Sequence, residues 1–432
     1  MLETHLSADQ IRALAQVRSA ASGTGLNVFL TGGTLRDMLA GFPILEIDFT
    51  VEGNALKLAK AITAKGGTEM IAPEDPGKSI HLILPGGVRA TVGMARQEKY
   101  AKPGSKPHVQ QSTIHEDLRG RDFTINSIAL SLNEASRGLL LDPNNGVGDI
   151  ANKELRAVGS YTLYDDPVRL LRLQRFKVRL GFTVSERTLA QYANVRATGL
   201  ETRIPPAALL EELRRIAAEP NVADVVRVLD EEKLLTLFSP ALTASKLNMA
   251  SLLKLQKAVQ IVPHGAGLNF NYFAPFLSVL TEKFSPAERS TFVQTLGIGQ
   301  DDVEQWQKLD ARSKKLEKEL KAPKLQKPSN LYKLLFKAPG DQILILLVRS
   351  TDRLVQDRIK NYLQKYLPAA QEVSEADVAA SGLQPGTPKY EKARIDLISA
   401  KLDARPKKIP PPPPEEPPPP PPTHGFVKRQ HS

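Results

Sequence analysis

The segment FLTGGTLRDMLAGFPILEIDFTVEG, residues 29–53, constrains this chain more than any other. The apolar run NVFL ends at Gly32-Gly33, a helix is predicted from Thr34 to Leu39, and ILEIDFTV reads as a second strand. Two glycines between a strand and a helix let backbone N–H groups approach a phosphate closely, and the helix N-terminus adds positive potential. Arg36, one turn into the helix, can contact a triphosphate, and Asp37 can hold Arg36 or cap the turn. A glycine pair alone is more often only a turn. Glu46 and Asp48 add weight to it, because positions two apart on a strand put both carboxylates on one face. Two such carboxylates repel each other unless a cation lies between them.

The flanking sequence builds a small α/β unit around this segment. A helix is predicted over the first 25 residues, with Ile11, Leu14, Val17 and Ala21 at helical spacing after Ser7-Ala8-Asp9 as a cap. ALKLAKAITAKGG reads as a helix that stops at its glycines, and KSIHLILPGGVRATVGMA as a hairpin about Pro-Gly-Gly. Beyond residue 160 the period becomes helical: DDPVRLLRLQRFKVRLGF repeats Val168, Leu171, Leu173, Phe176, Leu180 and Phe182 with arginines between them. Strand signals are scarce from there to residue 404, and proline clusters punctuate what reads as an elongated helical body. The proline run near the end cannot form a packed core and is expected as an extended polyproline II tail. The expected division is a head at 1–135, a neck at 136–245, a helical body and tail at 246–404, and a disordered proline-rich end at 405–432.

With no cysteine and seven histidines that show no HxH or HxxxH spacing, carboxylates are the natural metal ligands, and Mg²⁺ is the first expectation. No run approaches the ~18 apolar residues of a membrane span, and MLETHLSADQ lacks the features of a signal segment, so a cytoplasmic protein with no membrane partner is expected. The net charge of +11 points to a polyanion, and its placement sharpens the point. Residues 311–337 hold nine Lys or Arg against Glu317 and Glu319, a local +7 that includes Lys314, Lys315, Lys318 and Lys321. This window is either a solvated helix face or a surface that tracks RNA phosphates. The proline-rich end reads as a spacer or as an arm for a polyproline-binding partner.

Together the glycine pair, Arg36-Asp37 and Glu46-Ile47-Asp48 resemble the head of the class II tRNA nucleotidyltransferase and bacterial poly(A) polymerase family, whose signature is GG-x-x-R-D followed by D-x-D. Four later segments resemble its motifs in order: EDLRGRDFTINSIAL at 116–130, LDPNNGVGDIANKELRAVG at 141–159, DDPVRLLRLQRF at 165–176, and VSEADVAASGLQPGTPKYEKARIDLISAKLDAR near the end. Five ordered motifs are far more specific than one. The resemblance implies an α/β nucleotidyltransferase head with a mixed sheet, followed by an all-α neck, body and tail. It implies template-independent addition of CMP or AMP, from CTP or ATP, to an RNA 3′ end, with tRNA the foremost acceptor and poly(A) addition the alternative within the family. Glu46 and Asp48 would be the catalytic metal ligands, for Mg²⁺ or Mn²⁺, and Gly32, Gly33 and Arg36 would hold the triphosphate. Arg121, Asp122 and Asn126 would position ribose and phosphates. Asp166, Arg169 and Arg172 would lie in the nucleotide pocket, with Asp166 and Arg169 selecting the base. On residues alone, Asp166 and Arg169 are equally an i,i+3 pair on a helix surface.

The chain departs from the family pattern where charge matters most. Glu46 stands for an aspartate, Gly120 for an arginine and Asp165 for a glutamate. The third carboxylate of the family, five residues before an arginine that corresponds to Arg96, falls on Thr91. The expectation is a retained nucleotide pocket with an impaired metal site, and a catalytically weak or inactive RNA-binding paralogue is the rival reading.

Overall fold

The computed structural model describes residues 2–64, 66–71, 79–263, 270–374, 377–378, 382–383 and 387–404. The proline-rich end, 405–432, lies outside the described residues, and so does the expectation of a polyproline II tail.

The head is a seven-stranded mixed sheet. Its strands are β1 (Asn27–Thr31), β2 (Ile47–Glu52), β3 (Glu69–Ile71), β4 (Ile80–Leu84), β5 (Val88–Met94), β8 (Ala129–Ser131) and β9 (Leu140–Leu141), in the order β3-β4-β5-β2-β1-β8-β9. Only β2 and β5 pair in parallel; the other neighbours are antiparallel. A separate ribbon of β6 (Arg96–Lys99) and β7 (His108–Gln111) follows β5. The alternation of Val88, Ala90 and Val92 on β5, and of Ile47, Phe49 and Val51 on β2, buries one face of the sheet beneath the helices Ala8–Thr24 and Ala55–Thr63. The opposite face carries Asp48 and Thr91, which are directly paired.

Local signals explain the boundaries. Ser7 caps the first long helix in a capping box with Gln10, and Asn54 caps the second. The hairpin turns at Pro85–Gly87, where Gly86 takes a left-handed φ of 78°. The second strand is shorter than the apolar run that announced it, beginning at Ile47 where pairing with Ala90 begins, so Glu46 sits just ahead of it.

Among the described residues from Thr162 onward, the regular structure is helical apart from the two-residue strand Thr183–Val184. The helix Val168–Leu180 is shared between two cores. Leu170, Leu173, Phe176 and Leu180 pack into the core of the head, while Val168 and Leu171 join the larger core that runs on through the helical body to Leu402. Its arginines do not face water: Arg169 and Arg175 are buried, and Arg175 and Arg36 both stack on Phe176, at 4.6 and 4.9 Å from the ring centre. Among the described residues, no helix is long and apolar enough to cross a membrane.

Candidate active site

β1 runs directly into the helix Gly32–Ala40, with Thr31 in extended conformation as its first residue outside. Gly32 has φ 60°, and a Cβ there would lie 3.2 Å from Arg121 Nη1 and 3.4 Å from Asp48 Oδ2. At Gly33 a Cβ would come within 3.0 Å of the same Asp48 oxygen. Gly32 is therefore favoured by its left-handed φ and the close Arg121, and Gly33 by the Asp48 carboxylate against the start of the helix. Thr34 fixes that approach: its hydroxyl donates to the Glu46 carbonyl at 3.2 Å and accepts from the Asp48 N–H at 2.7 Å.

Asp48 has four neighbours that set its charge. Thr91, directly opposite on β5, donates its hydroxyl to Asp48 Oδ1 at 2.8 Å. Burial, and next the negative charge of Glu46, raise the Asp48 pKa above the usual aspartate value, against the pull of Thr91, Arg36 and Arg121. Glu46 itself turns toward His81 on β4, with Nδ1 3.7 Å from Oε1. Burial opposes the Glu46 charge, but His81 and Arg89 outweigh it and hold its pKa below the ordinary value.

The remaining residues expected in the pocket join the same assembly. Arg121 grips Asp117 Oδ2 through Nε and Nη2 at 2.9 and 2.7 Å, and its Nη2 also reaches Thr50 Oγ1 at 3.1 Å. Arg36 donates to Asp37 at 2.8 Å and to Asn126 Oδ1 at 2.9 Å. Asn126 in turn donates to Asp122 at 2.9 Å, and Asp122 accepts from Arg172 at 2.8 Å. Burial alone would raise the Asp122 pKa; Arg172 and Arg169 more than offset it, so this carboxylate is held well below the usual range. Arg36, Asp122 and Arg172 are thus engaged within the protein.

Asp166 lies ahead of the helix, and Arg169 in its first turn is only 6% exposed, so they are not a helix-surface pair. Arg169 Nε is 3.5 Å from Asp166 Oδ2, and its other nitrogens donate to the carbonyls of Thr162 and Gly120, each at 3.3 Å. Two residues the sequence reading missed stand beside it. Glu98 lies 3.9 Å from Arg169, and the Tyr100 hydroxyl donates to Glu98 at 2.9 Å. Glu98 lies on the ribbon and Tyr100 just past its first strand, and nothing in the sequence said where that ribbon lies.

The lysines belong to a different surface. On the helix Leu309–Leu320, Leu309, Ser313, Leu316 and Leu320 are buried, which leaves Lys314, Lys315 and Lys318 exposed with no ion pair among the described residues. Lys321, just past the helix, is shared between Glu317 and Asp352, each at 3.4 Å.

The donor set suits a hard divalent ion that takes one or two carboxylates and completes its shell from water and substrate phosphates. The raised pKa of Asp48 beside Glu46 is the charge conflict such an ion relieves. Among the described residues, no three His, Asp, Glu or Cys side chains stand close enough to hold an ion by themselves, since a hydroxyl occupies the position opposite Asp48.

The head is thus a mixed sheet with a glycine-pair helix start set against a carboxylate, joined by an arginine-bearing helix to a helical body. Residues 28–156 match the family described as the poly A polymerase head domain. An A-adding tRNA nucleotidyltransferase of Aquifex aeolicus is 29% identical over 346 residues, covering 79% of this chain and 40% of the relative. A CC-adding tRNA nucleotidyltransferase of Deinococcus radiodurans is 34% identical over 221 residues, covering 51% of this chain and 58% of the relative. The matches thus span about half the length of these curated relatives. A solved CCA-adding enzyme, in an apo form, overlays with a TM-score of 0.54 at 23% identity, over 94% of this chain and 95% of that one, so the fold is shared throughout.

Proposed function

We propose that this chain is a template-independent RNA nucleotidyltransferase that transfers CMP or AMP from CTP or ATP to the 3′ end of tRNA, in CCA addition or repair in the cytoplasm. The observation that carries this reading is the Asp48 carboxylate lodged against Gly32-Gly33, with Arg121 beside it and the Asp166–Arg169 pair at the head of the next long helix. The glycine N–H groups face the triphosphate and Arg121 adds charge to it. Asp166 accepts amino protons of the base, and Arg169, fixed by two carbonyls, offers its remaining donors to ring acceptors. A divalent ion, Mg²⁺ or Mn²⁺, held by Asp48 and Glu46 would supply charge neutralisation and a more acidic 3′ hydroxyl. The direct test is incubation of the full chain with the ion, labelled CTP or ATP, and tRNA ending before or within CCA. Label retained in the mononucleotide pool under all combinations would refute the proposal.

A second reading, an RNA-binding paralogue with little or no activity, is favoured by one observation: Thr91 meets Asp48 with a neutral hydroxyl. A-only or poly(A) addition is the third, and relatives named as A-adding, CC-adding and multifunctional CCA proteins leave the added nucleotides open.

Two expected results bear on this function. Arg169→Ala should reduce discrimination of CTP or ATP against GTP or UTP by about 10- to 100-fold, the worth of one to two charge-assisted hydrogen bonds; unaltered discrimination in an active variant refutes the role. Replacing Lys314, Lys315, Lys318 and Lys321 by Gln should weaken tRNA binding and flatten its log-log salt slope by about 0.7 to 0.9 per lost phosphate contact. Lys321, already paired, should contribute least. A binding isotherm with the original affinity and slope would leave these lysines as a solvated face.

A further inference from the structure

The ribbon of β6 and β7 stands apart from the head sheet and has two faces. Arg96 and Glu98 lie on one of them, with Tyr100 just beyond; Arg96 Nη2 is 2.8 Å from Glu98, and the Tyr100 hydroxyl donates to the same carboxylate. That face turns toward Arg169. On the other face lie Gln97 and Lys99, paired across the ribbon with Gln110 and His108. It holds no acid, and its Lys99, His108 and Gln110 are exposed.

The loop between the two strands extends the basic face. Pro103-Gly104 forms the centre of a tight turn, in which the Ser105 N–H donates to the Lys102 carbonyl at 3.1 Å and Gly104 takes φ 73°. The turn is fastened to the chain beyond the head: the Gly104 N–H donates to the Asp165 carbonyl at 3.1 Å, and a Cβ on Gly104 would lie 3.1 Å from the Cβ of Arg203. Lys99, Lys102, Lys106 and Arg203 are all exposed, and none makes an ion pair among the described residues. A run of lysines is usually only a solvated face. This one is gathered from two parts of the chain onto a fixed turn, bonded to the residue next to Asp166.

We propose that the basic face of this ribbon, with Arg203, holds the backbone phosphates of the RNA acceptor strand where its single-stranded 3′ end enters the pocket. The inference deepens the proposed function and rests on it. A 3′ end that accepts a nucleotide read by Asp166 and Arg169 must come to that pair, so the phosphates just behind it pass the elements that flank the pair. The turn at Gly104 is such an element, and its charge is complementary to a phosphate chain. Contacts of this kind position a strand without reading its sequence. An ammonium is a point charge on a flexible stem, so lysines can follow phosphates whose places shift as the end lengthens.

The test uses the full chain, without nucleotide, and a fluorescent RNA hairpin made of an acceptor stem with a single-stranded 3′ end. Replacing Lys99, Lys102 and Lys106 together by Gln should weaken binding at least about 10-fold and lower the log-log salt slope by about 2, at about 0.7 per lost contact with a single strand. Arg203→Gln leaves the ribbon unaltered and should lower the slope by about 0.7. A blunt hairpin lacking the 3′ overhang should bind wild type and variants alike, and affinities for CTP and ATP should not change. The proposal is overturned by unaltered hairpin affinity and slope in both variants, or by an equal loss with the blunt hairpin. Weakened CTP or ATP binding would also overturn it, by giving these side chains to the triphosphate. Transfer is measured separately: label entering tRNA while the variants bind the hairpin normally sinks the ribbon surface and leaves the enzymatic reading, and ribbon-dependent binding without any transfer does the reverse.

Discussion

Asp48→Ala should lower nucleotide incorporation by about 10³-fold or more, equivalent to about 4 kcal/mol of transition-state stabilisation, with the fold retained. Asp48 is the carboxylate set hard against the glycine cradle. The alternatives are already committed: Glu52 accepts from the Ile114 N–H at 2.7 Å and from Asn27 at 2.9 Å, and Asp122 is held by Arg172, Asn126 and the Phe123 N–H. In the opposite direction, combining Thr91→Asp with Glu46→Asp should accelerate transfer in Mg²⁺. It returns a charge to the position paired with Asp48 and removes the methylene of Glu46; a misplacement of about 1 Å can cost about 100-fold. The assay is label incorporation into tRNA under single-turnover conditions. A wild type and an Asp48→Ala variant that are equally fast would remove Asp48 from the reaction. An inert wild type that the double substitution fails to waken would favour the RNA-binding paralogue.

Much of this arrangement could be read in the sequence because its signals are local. A glycine pair between an apolar run and a helix, and two acids two positions apart, need no knowledge of distant residues. The sequence therefore located the phosphate-facing turn, and the repeat of Val168, Leu171, Leu173 and Phe176 marked the helix that leaves the head. What it could not show were contacts decided by register and long-range packing. His81 meets Glu46 only because a hairpin and a parallel pairing align β4, β5 and β2. The sequence placed arginines between the apolar rows without naming their partners, and their counter-ions come from elsewhere in the chain: Asp37 lies 142 residues from Arg179, and Glu212 lies 37 from Arg175. Arginines at 169, 172, 175 and 179 do share one helical stripe, and that regularity was the legible hint that the stripe faces something acidic. Glu46 was misplaced by a single step: the apolar residues before it extend the strand pattern, but ladder pairing starts only at Ile47.

That arginine stripe leads to the largest expected loss of stability. Four guanidinium groups, Arg36, Arg172, Arg175 and Arg179, alternate with Asp37, Asp122, Glu212 and Glu219 in a closed circuit, completed by Asn126 between Arg36 and Asp122. The charges balance around the Phe176 ring, and the circuit ties the head, through Asp37 and Asp122, to the neck. Glu212 is its most enclosed acid, 1% exposed, accepting from Arg175 at 2.7 Å and lying 3.5 Å from Arg172. Glu212→Ala should therefore destabilise the fold by about 3 to 5 kcal/mol, because it strands a buried positive charge. Arg175 has no slack to rearrange, as its Nη2 is already without a partner. Replacing Arg175 and Glu212 together by Met should recover a large part of the loss, since a well-packed apolar pair avoids the desolvation of both ions. Acid sensitivity gives an independent reading. Burial would raise the Glu212 pKa, but Arg175 and Arg172 hold it below the ordinary glutamate value. Its contribution is therefore complete above the unfolded-state pKa and drains away as pH falls through the lower folded-state value. Denaturant midpoints for wild type and Glu212→Gln should differ most near neutral pH and converge in acid; a gap that does not change with pH would show that the charge of Glu212 does not stabilise the junction between head and neck.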